Sequence, residues 1–241
     1  MKLDEIKKLK QKKYRNEFGH FLVEGEHLIL ELEKAANSNP LLKNSELYFT
    51  ERYQDWQTSF KKTLVSEKQM RQFSDTDTPQ GIIAVVPIIK NTATANDLSE
   101  RVIYLNEIQD PGNLGTIFRT LAWFGGFRCL LSPDSVDPFN PKVVRASMGA
   151  IFTVPFELDV PLATLTTRFS KLIALDIEGE SINSTGYKNG DCYIFGNEAR
   201  GLPREQLSSL TVKSFTIPGN AGVESLNLAA AVNICAYELI R

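Results

Sequence analysis

Apolar residues in the first ninety positions change period several times. Leu3, Ile6 and Leu9 recur at helical spacing inside a lysine-rich stretch, which predicts one face of a basic amphipathic helix. A short strand over 20–24 follows, then a helix over 26–36, a strand over 46–50 and a helix over 52–61. A strand over 63–66, a short helix over 67–73 and a strand over 82–86 complete this part. The alternation resumes with a strand at 102–106, a helix at 113–124, a strand at 127–131 and a helix within Asp137 to Met148. Strands at 152–156, 171–176, 192–196 and 212–217 precede a long helix over 225–240. Apolar strands separated by helices imply a mostly parallel sheet covered on both faces.

The fold class is therefore α/β, in two parts. The polar stretch Lys90 to Glu100 (KNTATANDLSE) has no apolar periodicity and reads as a linker. It separates a small α/β domain over 1–90 from a larger one over 101–241, with 91–100 between them.

Composition narrows the function. The 241 residues are 42% hydrophobic and 23% charged, as in an ordinary globular protein. No apolar run approaches the roughly 18 residues of a membrane span, and the charged start does not lead into a signal peptide, so the cytoplasm is the expected compartment. Three isolated cysteines, Cys129, Cys192 and Cys235, provide neither a disulfide framework nor a Cys-x-x-Cys zinc pattern, and sit in predicted core elements. Only His20 and His27 are present, so no histidine is available to chemistry in the second part. The net charge of −2 hides an asymmetry: residues 1–96 carry +2 and residues 97–241 carry −4. Seven Lys or Arg face two acids within residues 1–15, which fits either a solvated helix face or a partner-binding module.

Twelve of the fifteen glycines follow residue 97, and three strand-end segments there combine turn residues with functional side chains. The first runs from Asn106 to Arg119. Its Asp110-Pro111-Gly112 turn ends a strand, Asn113 suits a helix N-cap, and Arg119 sits in an otherwise apolar helix where a guanidinium needs an acceptor. The second runs from Ile194 to Pro203 and the third from Phe215 to Asn227, with Ser225 as a candidate cap for the last helix. Singly, each is a tight connection; three at the carboxyl ends of strands in one domain predict a ligand crevice. No G-x-G-x-x-G, phosphate loop or G-x-S-x-G occurs, which removes dinucleotide, nucleotide and serine-hydrolase sites.

Taken together, Asn113-x-Gly115-x-x-x-Arg119, Phe195-Gly196-Asn197-Glu198-x-x-Gly201-Leu202, and Ile217-Pro218 followed by Ser225-Leu226-Asn227 resemble the three motifs of the SpoU/TrmH RNA 2′-O-ribose methyltransferases. Order and approximate spacing match over residues 100–241. Val144 to Ala150 (VRASMGA) is similar to a segment these enzymes carry between the first two motifs. The stretches LKQKKYR (9–15) and FLVEG (21–25) look more weakly like the substrate-binding domain of the ribosomal-RNA branch.

The resemblance implies a trefoil knot at the C-terminal end of the second domain and a homodimer. It implies S-adenosylmethionine held by backbone groups at Gly196, Ile217 and Leu226, with Asn197, Gly201 and Pro218 shaping the loops, and no metal. Arg119 would be the catalytic centre, with Asn113, Glu198, Ser225 and Asn227 orienting it and the ribose. Family proposals give this arginine a base role; since arginine normally stays protonated, a cation favouring the alkoxide is the competing role. RNA would meet Lys7, Lys8, Lys10, Lys12, Lys13 and Arg15 of the first domain, and Arg145. Ribosomal RNA is the expected substrate; transfer RNA, or a catalytically silent RNA-binding assembly factor on the same fold, are the alternatives.

Overall fold

The structure is a computed structural model that describes residues 1–89, 100–220 and 225–241. The expected linker thus lies outside the described residues except for Glu100. In chain order the elements are α1 (Leu3–Ile6), α2 (Lys12–Phe18), β1 (His20–Glu24), α3 (Glu26–Ser38), β2 (Glu46–Phe49), β3 (Lys61–Leu64), α4 (Glu67–Phe73) and β4 (Ile82–Pro87). Then come β5 (Arg101–Leu105), α5 (Pro111–Phe124), β6 (Phe127–Leu131), α6 (Pro141–Ser147), β7 (Phe156–Glu157), α7 (Leu165–Arg168) and β8 (Leu172–Ser181). The last are β9 (Cys192–Phe195), α8 (Arg204–Ser208), β10 (Val212–Thr216) and α9 (Leu228–Ile240).

The chain packs as two units, Met1–Lys90 with Asp137–Thr153, and Asn91–Val136 with Val154–Arg241. The segment 137–153, which the pattern assigns to the second domain, therefore packs with the first unit. Its anchors explain why. Phe139 and Phe152 lie against Phe21 of β1, with ring centroids 4.9 and 6.5 Å away. Gly149 (φ +94°) sits so close to α3 that a Cβ there would lie 2.6 Å from the Glu31 Cβ. A larger residue in this turn would push the segment off the helix.

In the first unit a four-stranded sheet has the order β1-β4-β2-β3, antiparallel except for the parallel β2–β3 pair. Ile6, Leu9, Leu22, Tyr48, Met70, Phe73, Ile83 and Val85 form a core on one face. The expected first helix is broken: α1 passes through a 3₁₀ turn at Lys7–Lys10, and Gln11 is extended (φ −101°, ψ 133°) before α2 begins. Ile6 and Leu9 still bury, so the apolar face survives the break. The helix expected over 52–61 is only a 3₁₀ turn at Glu51–Tyr53. There Tyr53 packs edge-on against Trp56, and Lys62 Nζ donates to the Gln54 and Trp56 carbonyls, so the backbone folds as a loop.

The second unit has a six-stranded sheet in the order β10-β8-β9-β5-β6-β7, in which every pair is parallel. Val102, Tyr104, Leu130, Leu172, Cys192 and Ile194 build the core on one face. Their neighbours Ile103, Leu105, Cys129, Leu131, Tyr193 and Phe195 alternate to the other face and are also buried. The strand expected over 152–156 shrinks to Phe156–Glu157 because Ala150–Phe152 takes a 3₁₀ turn. The pairing of β8 with β9 ends at Ala174–Ile194, although β9 runs on to Phe195. Beyond that point β8 continues to Ser181 in its pairing with β10.

Candidate active site

Asp110, not Asn113, caps α5. Its Oδ1 accepts the Asn113 backbone N–H at 2.7 Å, and Pro111 fills the first helical turn, where a missing N–H costs nothing. The Asn113 side chain is thereby free for other bonds. Its Nδ2 donates to Glu198 Oε1 (3.3 Å), and its Oδ1 accepts from Asn227 Nδ2 (2.9 Å). The Glu198 carboxylate also accepts the Gln109 and Asp110 backbone N–H groups, both at 3.2 Å. Asn227 caps α9 with its Oδ1 on the Ala229 and Ala230 N–H groups. One chain of bonds thus joins the loop after β5, the loop after β9 and the start of α9. The last helix begins at Leu228 under this Asn227 cap, not under Ser225.

The loop after β9 is a tight hairpin. Asn197 and Gly201 exchange backbone hydrogen bonds of 2.9 and 2.8 Å, and Asn197 Oδ1 accepts from the Ala199 and Arg200 N–H groups. A Cβ on Gly196 would lie 2.3 Å from the Gly201 carbonyl carbon, so only glycine fits. Asn197, 6% exposed, donates from Nδ2 to the Glu107 carbonyl at 2.7 Å and ties this hairpin to the loop after β5. That loop is held further by Gln109 Nε2 on the Glu107 and Asp134 carbonyls, and by the Glu107 N–H on Ser132 Oγ. Arg200 pairs with Glu107 across the mouth.

Sequence reasoning missed Gln109, Asp110, Glu107 and Arg200 as framework residues. The Asp-Pro pair was the signal for the cap. Nothing in the sequence marks the Glu107–Arg200 pair.

Arg119 lies elsewhere on α5. Six residues beyond Asn113, it is about 9 Å along the axis and about 120° around it. It is exposed and has no hydrogen-bond or ion-pair partner among the described residues, so the acceptor expected from its apolar neighbours is not needed. Those neighbours, Leu114, Ile117, Phe118 and Leu121, turn inward and leave Arg119 on the outer stripe with Thr116 and Trp123. Ser225 is exposed, also without a partner among the described residues.

Gly196, Ile217 and Leu226 make no backbone hydrogen bond among the described residues, which leaves polar groups from the loop after β9 and the loop after β10 available to a ligand. Gly201 and Pro218 are exposed beside them. The cysteines are core residues: burial raises all three thiols, that of Cys235 to about 12. Among the described residues there is no group of three or more His, Cys, Asp or Glu that could hold a metal, and no helix long and apolar enough to cross a membrane.

In the first unit, Lys8, Lys12 and Lys13 are exposed, Lys10 is half-buried, and Lys7 pairs with Asp4 at 2.6 Å. Arg15 departs from the expected RNA face, being 2% exposed. Its Nε donates to Asp137 at 2.9 Å, and Nη1 donates to the Leu9 and Lys10 carbonyls. Arg145 pairs with Asp75 at 3.2 Å, while its Nη1 is buried without a partner among the described residues.

Residues 100–237 match the model of the SpoU rRNA Methylase family, and residues 1–84 match an MRM3-like substrate binding domain. A relative from Bacillus subtilis (strain 168), the 23S rRNA (guanosine(2553)-2'-O)-methyltransferase RlmP, is 32% identical over 99% of this chain and 95% of its own length. The mitochondrial rRNA methyltransferase 3 of Mus musculus is 27% identical over 95% of this chain and 69% of its own length. The crystal structure of an AdoMet-bound rRNA methyltransferase from Sinorhizobium meliloti superposes with a TM-score of 0.79 at 26% identity, covering 98% of this chain and 93% of that one. With three loop motifs brought to one end of a parallel sheet and more than half the chain matched by the family model, the chain belongs to the SpoU rRNA Methylase family.

Proposed function

We propose that the protein transfers a methyl group from S-adenosylmethionine to a ribose 2′-hydroxyl of ribosomal RNA. The observation that carries this reading is the Glu198–Asn113–Asn227 chain of bonds, which joins the loops after β5 and β9 to the start of α9. The relatives named as rRNA methyltransferases and the AdoMet-bound neighbour support it.

S-adenosylmethionine supplies an electrophilic methyl on a sulfonium. Free backbone groups at Gly196, Ile217 and Leu226 would hold it, with Asn197, Gly201 and Pro218 keeping side chains out of the way. The 2′-oxygen forms the new bond to the methyl carbon, the carbon–sulfur bond breaks, and the hydroxyl proton leaves to water or a nearby base. Arg119 stays protonated and stabilises the developing alkoxide or the adjacent phosphate. Asn113, Glu198 and Asn227 keep the loops in the geometry that in-line transfer needs, and Ser225 offers a hydroxyl at the same edge. The basic turn and helix at Lys7, Lys8, Lys10, Lys12 and Lys13, with Arg145, hold the RNA.

The same reading includes a second copy of the chain. Trp123 on α5 is 84% exposed and Tyr237 on α9 is 50% exposed, with Ile234 and Ile240 beside it, and α5 packs against α9 through Phe124 and Tyr237. Such apolar exposure calls for a cover, so Trp123→Lys should convert a dimer to a monomer in light scattering. The reading also includes the C-terminal trefoil knot and a cytoplasmic place of work beside the ribosome.

The decisive experiment maps 2′-O-methylation across ribosomal and transfer RNA in a deletion strain and its parent, alongside calorimetry with S-adenosylmethionine. Loss of one ribosomal site with measurable cofactor binding is expected. A lost transfer-RNA site reassigns the substrate, and absence of cofactor binding overturns the reading in favour of a silent factor.

A further inference from the structure

The first unit carries an aromatic surface framed by unneutralised ammonium groups, which the proposed chemistry does not explain. Tyr14 and Phe18, one turn apart on α2, stack with centroids 5.9 Å apart and planes at 22°. Both residues are half-buried, and Phe18 also packs against the core of this unit and supports the Tyr14 ring. Lys8 Nζ and Lys13 Nζ lie 5.3 and 5.6 Å from the Tyr14 centroid. Residues 7–13 contain five lysines and no acid, and among the described residues only Lys7 has a carboxylate partner.

The arrangement is fixed from below. Buried Arg15, adjacent to Tyr14 but on the inner side of α2, donates to the Leu9 and Lys10 carbonyls. Those bonds hold the Lys7–Lys10 turn against α2, so Lys8 reaches the Tyr14 ring without ordering a free loop. Gly19 (φ +65°) ends α2 directly after Phe18.

A phosphate surface alone needs lysines and no exposed rings. Exposed cation–π contacts are weak, so the ammonium groups are free to leave the ring for a stronger anion. An unpaired nucleotide satisfies both features: its base covers the ring face, and its flanking phosphates take Lys8 and Lys13. A duplex keeps its base faces stacked inside and offers only phosphates. We infer that Tyr14, supported by Phe18 and flanked by Lys8 and Lys13, is a stacking site for an unpaired base of the RNA substrate. This deepens the proposed function and rests on its RNA-binding part.

The test uses the full chain and a fluorescein-labelled oligoadenylate of about eight nucleotides, against a blunt duplex of similar length. The native protein should prefer the unpaired strand. Tyr14→Ala should weaken that binding about tenfold and leave duplex binding unchanged. Tyr14→Trp should retain it and show indole quenching on RNA addition. Tyr14→Leu keeps apolar volume over Phe18 but loses the π-face, so it should bind like Tyr14→Ala while unfolding at the native temperature. Lys8→Ala and Lys13→Ala should each lower the salt dependence by about one ion.

Native-like oligoadenylate binding by Tyr14→Ala and Tyr14→Leu overturns the inference, as does equal binding of polyglutamate, which would assign the face to an acidic protein. Methylation mapping separates the two claims. A normal rRNA target with Tyr14-independent binding sinks only the stacking site. Tyr14-dependent binding without any rRNA methylation sinks only the function.

Discussion

Glu198 Oε1 accepts a hydrogen bond from Asn113 Nδ2 at 3.3 Å, and the same oxygen accepts the Asp110 N–H at 3.2 Å. The carboxylate therefore reads the neutral amide of Asn113 as a donor. Asn113→Asp would set a second carboxylate in its place and leave Asn227 Nδ2 with the only attractive contact. Like charges at this separation repel by about 1–4 kcal/mol at effective dielectrics between water and a protein surface. Asn113→Asp should reduce kcat at least tenfold at neutral pH, and Asn113→Ala should do less harm to the loop after β9. Calorimetry and single-turnover methylation check this; full activity in Asn113→Asp would remove Asn113 from the framework.

Arg119 is exposed and makes no partner contact among the described residues, so its removal should cost little stability, within about 0.5 kcal/mol. Activity should behave otherwise. Arg119→Ala should retain S-adenosylmethionine binding and lose methylation. Arg119→Lys distinguishes the roles: substantial retained turnover indicates a point charge, whereas loss indicates that the planar guanidinium is required. Near-normal turnover in Arg119→Ala on the cognate RNA would remove it from the site.

Most strands and the long helices follow directly from apolar periodicity, because buried parallel strands read as continuous runs such as VIYL and CYIF. The departures occur where side chains compete with the backbone. Lys62 holds loop carbonyls where a helix is predicted over 52–61, and Asp110 takes the cap expected of Asn113. The three motifs were visible as segments, yet the bonds between Asn113, Glu198 and Asn227 join residues 85 and 114 positions apart. No local pattern reveals such pairs. The buried state of Arg15 is hidden for the same reason, since its partner Asp137 is 122 residues away.

Gly196→Ala tests the hairpin after β9. A methyl there would stand 2.3 Å from the Gly201 carbon and 2.5 Å from the Leu202 nitrogen, and neither backbone atom has a flexible escape. The hairpin must open, carrying Asn197 away from the Glu107 carbonyl. Cofactor affinity should fall more than tenfold while the first unit keeps its RNA affinity. An unchanged calorimetric Kd would show that the hairpin does not contribute to the cofactor site.

All three thiols are buried, and burial holds Cys235 up to about 12, so none is ionised at pH 8 in the folded protein. A thiol–disulfide reagent at that pH should label no cysteine in the native state and three after denaturation. Prompt native labelling at any of them would place that residue outside the core.

Arg15 and Asp137 form an ion pair whose side chains are 3% and 9% exposed, and Arg15 also holds the Leu9 and Lys10 carbonyls. Removing one partner strands the other charge in a poorly solvated place, which typically costs about 3–5 kcal/mol. Arg15→Ala should therefore unfold the first unit at a clearly lower temperature, whereas Lys12→Ala, on an exposed side chain of the same helix, should not. Asp137 also accepts the Phe139 N–H, so Asp137→Leu loses a turn contact as well. The double variant Arg15→Met, Asp137→Leu removes both charges and should recover part of the loss, since the desolvation cost disappears with the pair. Thermal unfolding of the native chain, Arg15→Met, Asp137→Leu and the double variant closes the cycle and gives the coupling directly. If Arg15→Ala melted like the native chain and lost only RNA affinity, Arg15 would be a surface contact and the buried pair would not exist in solution.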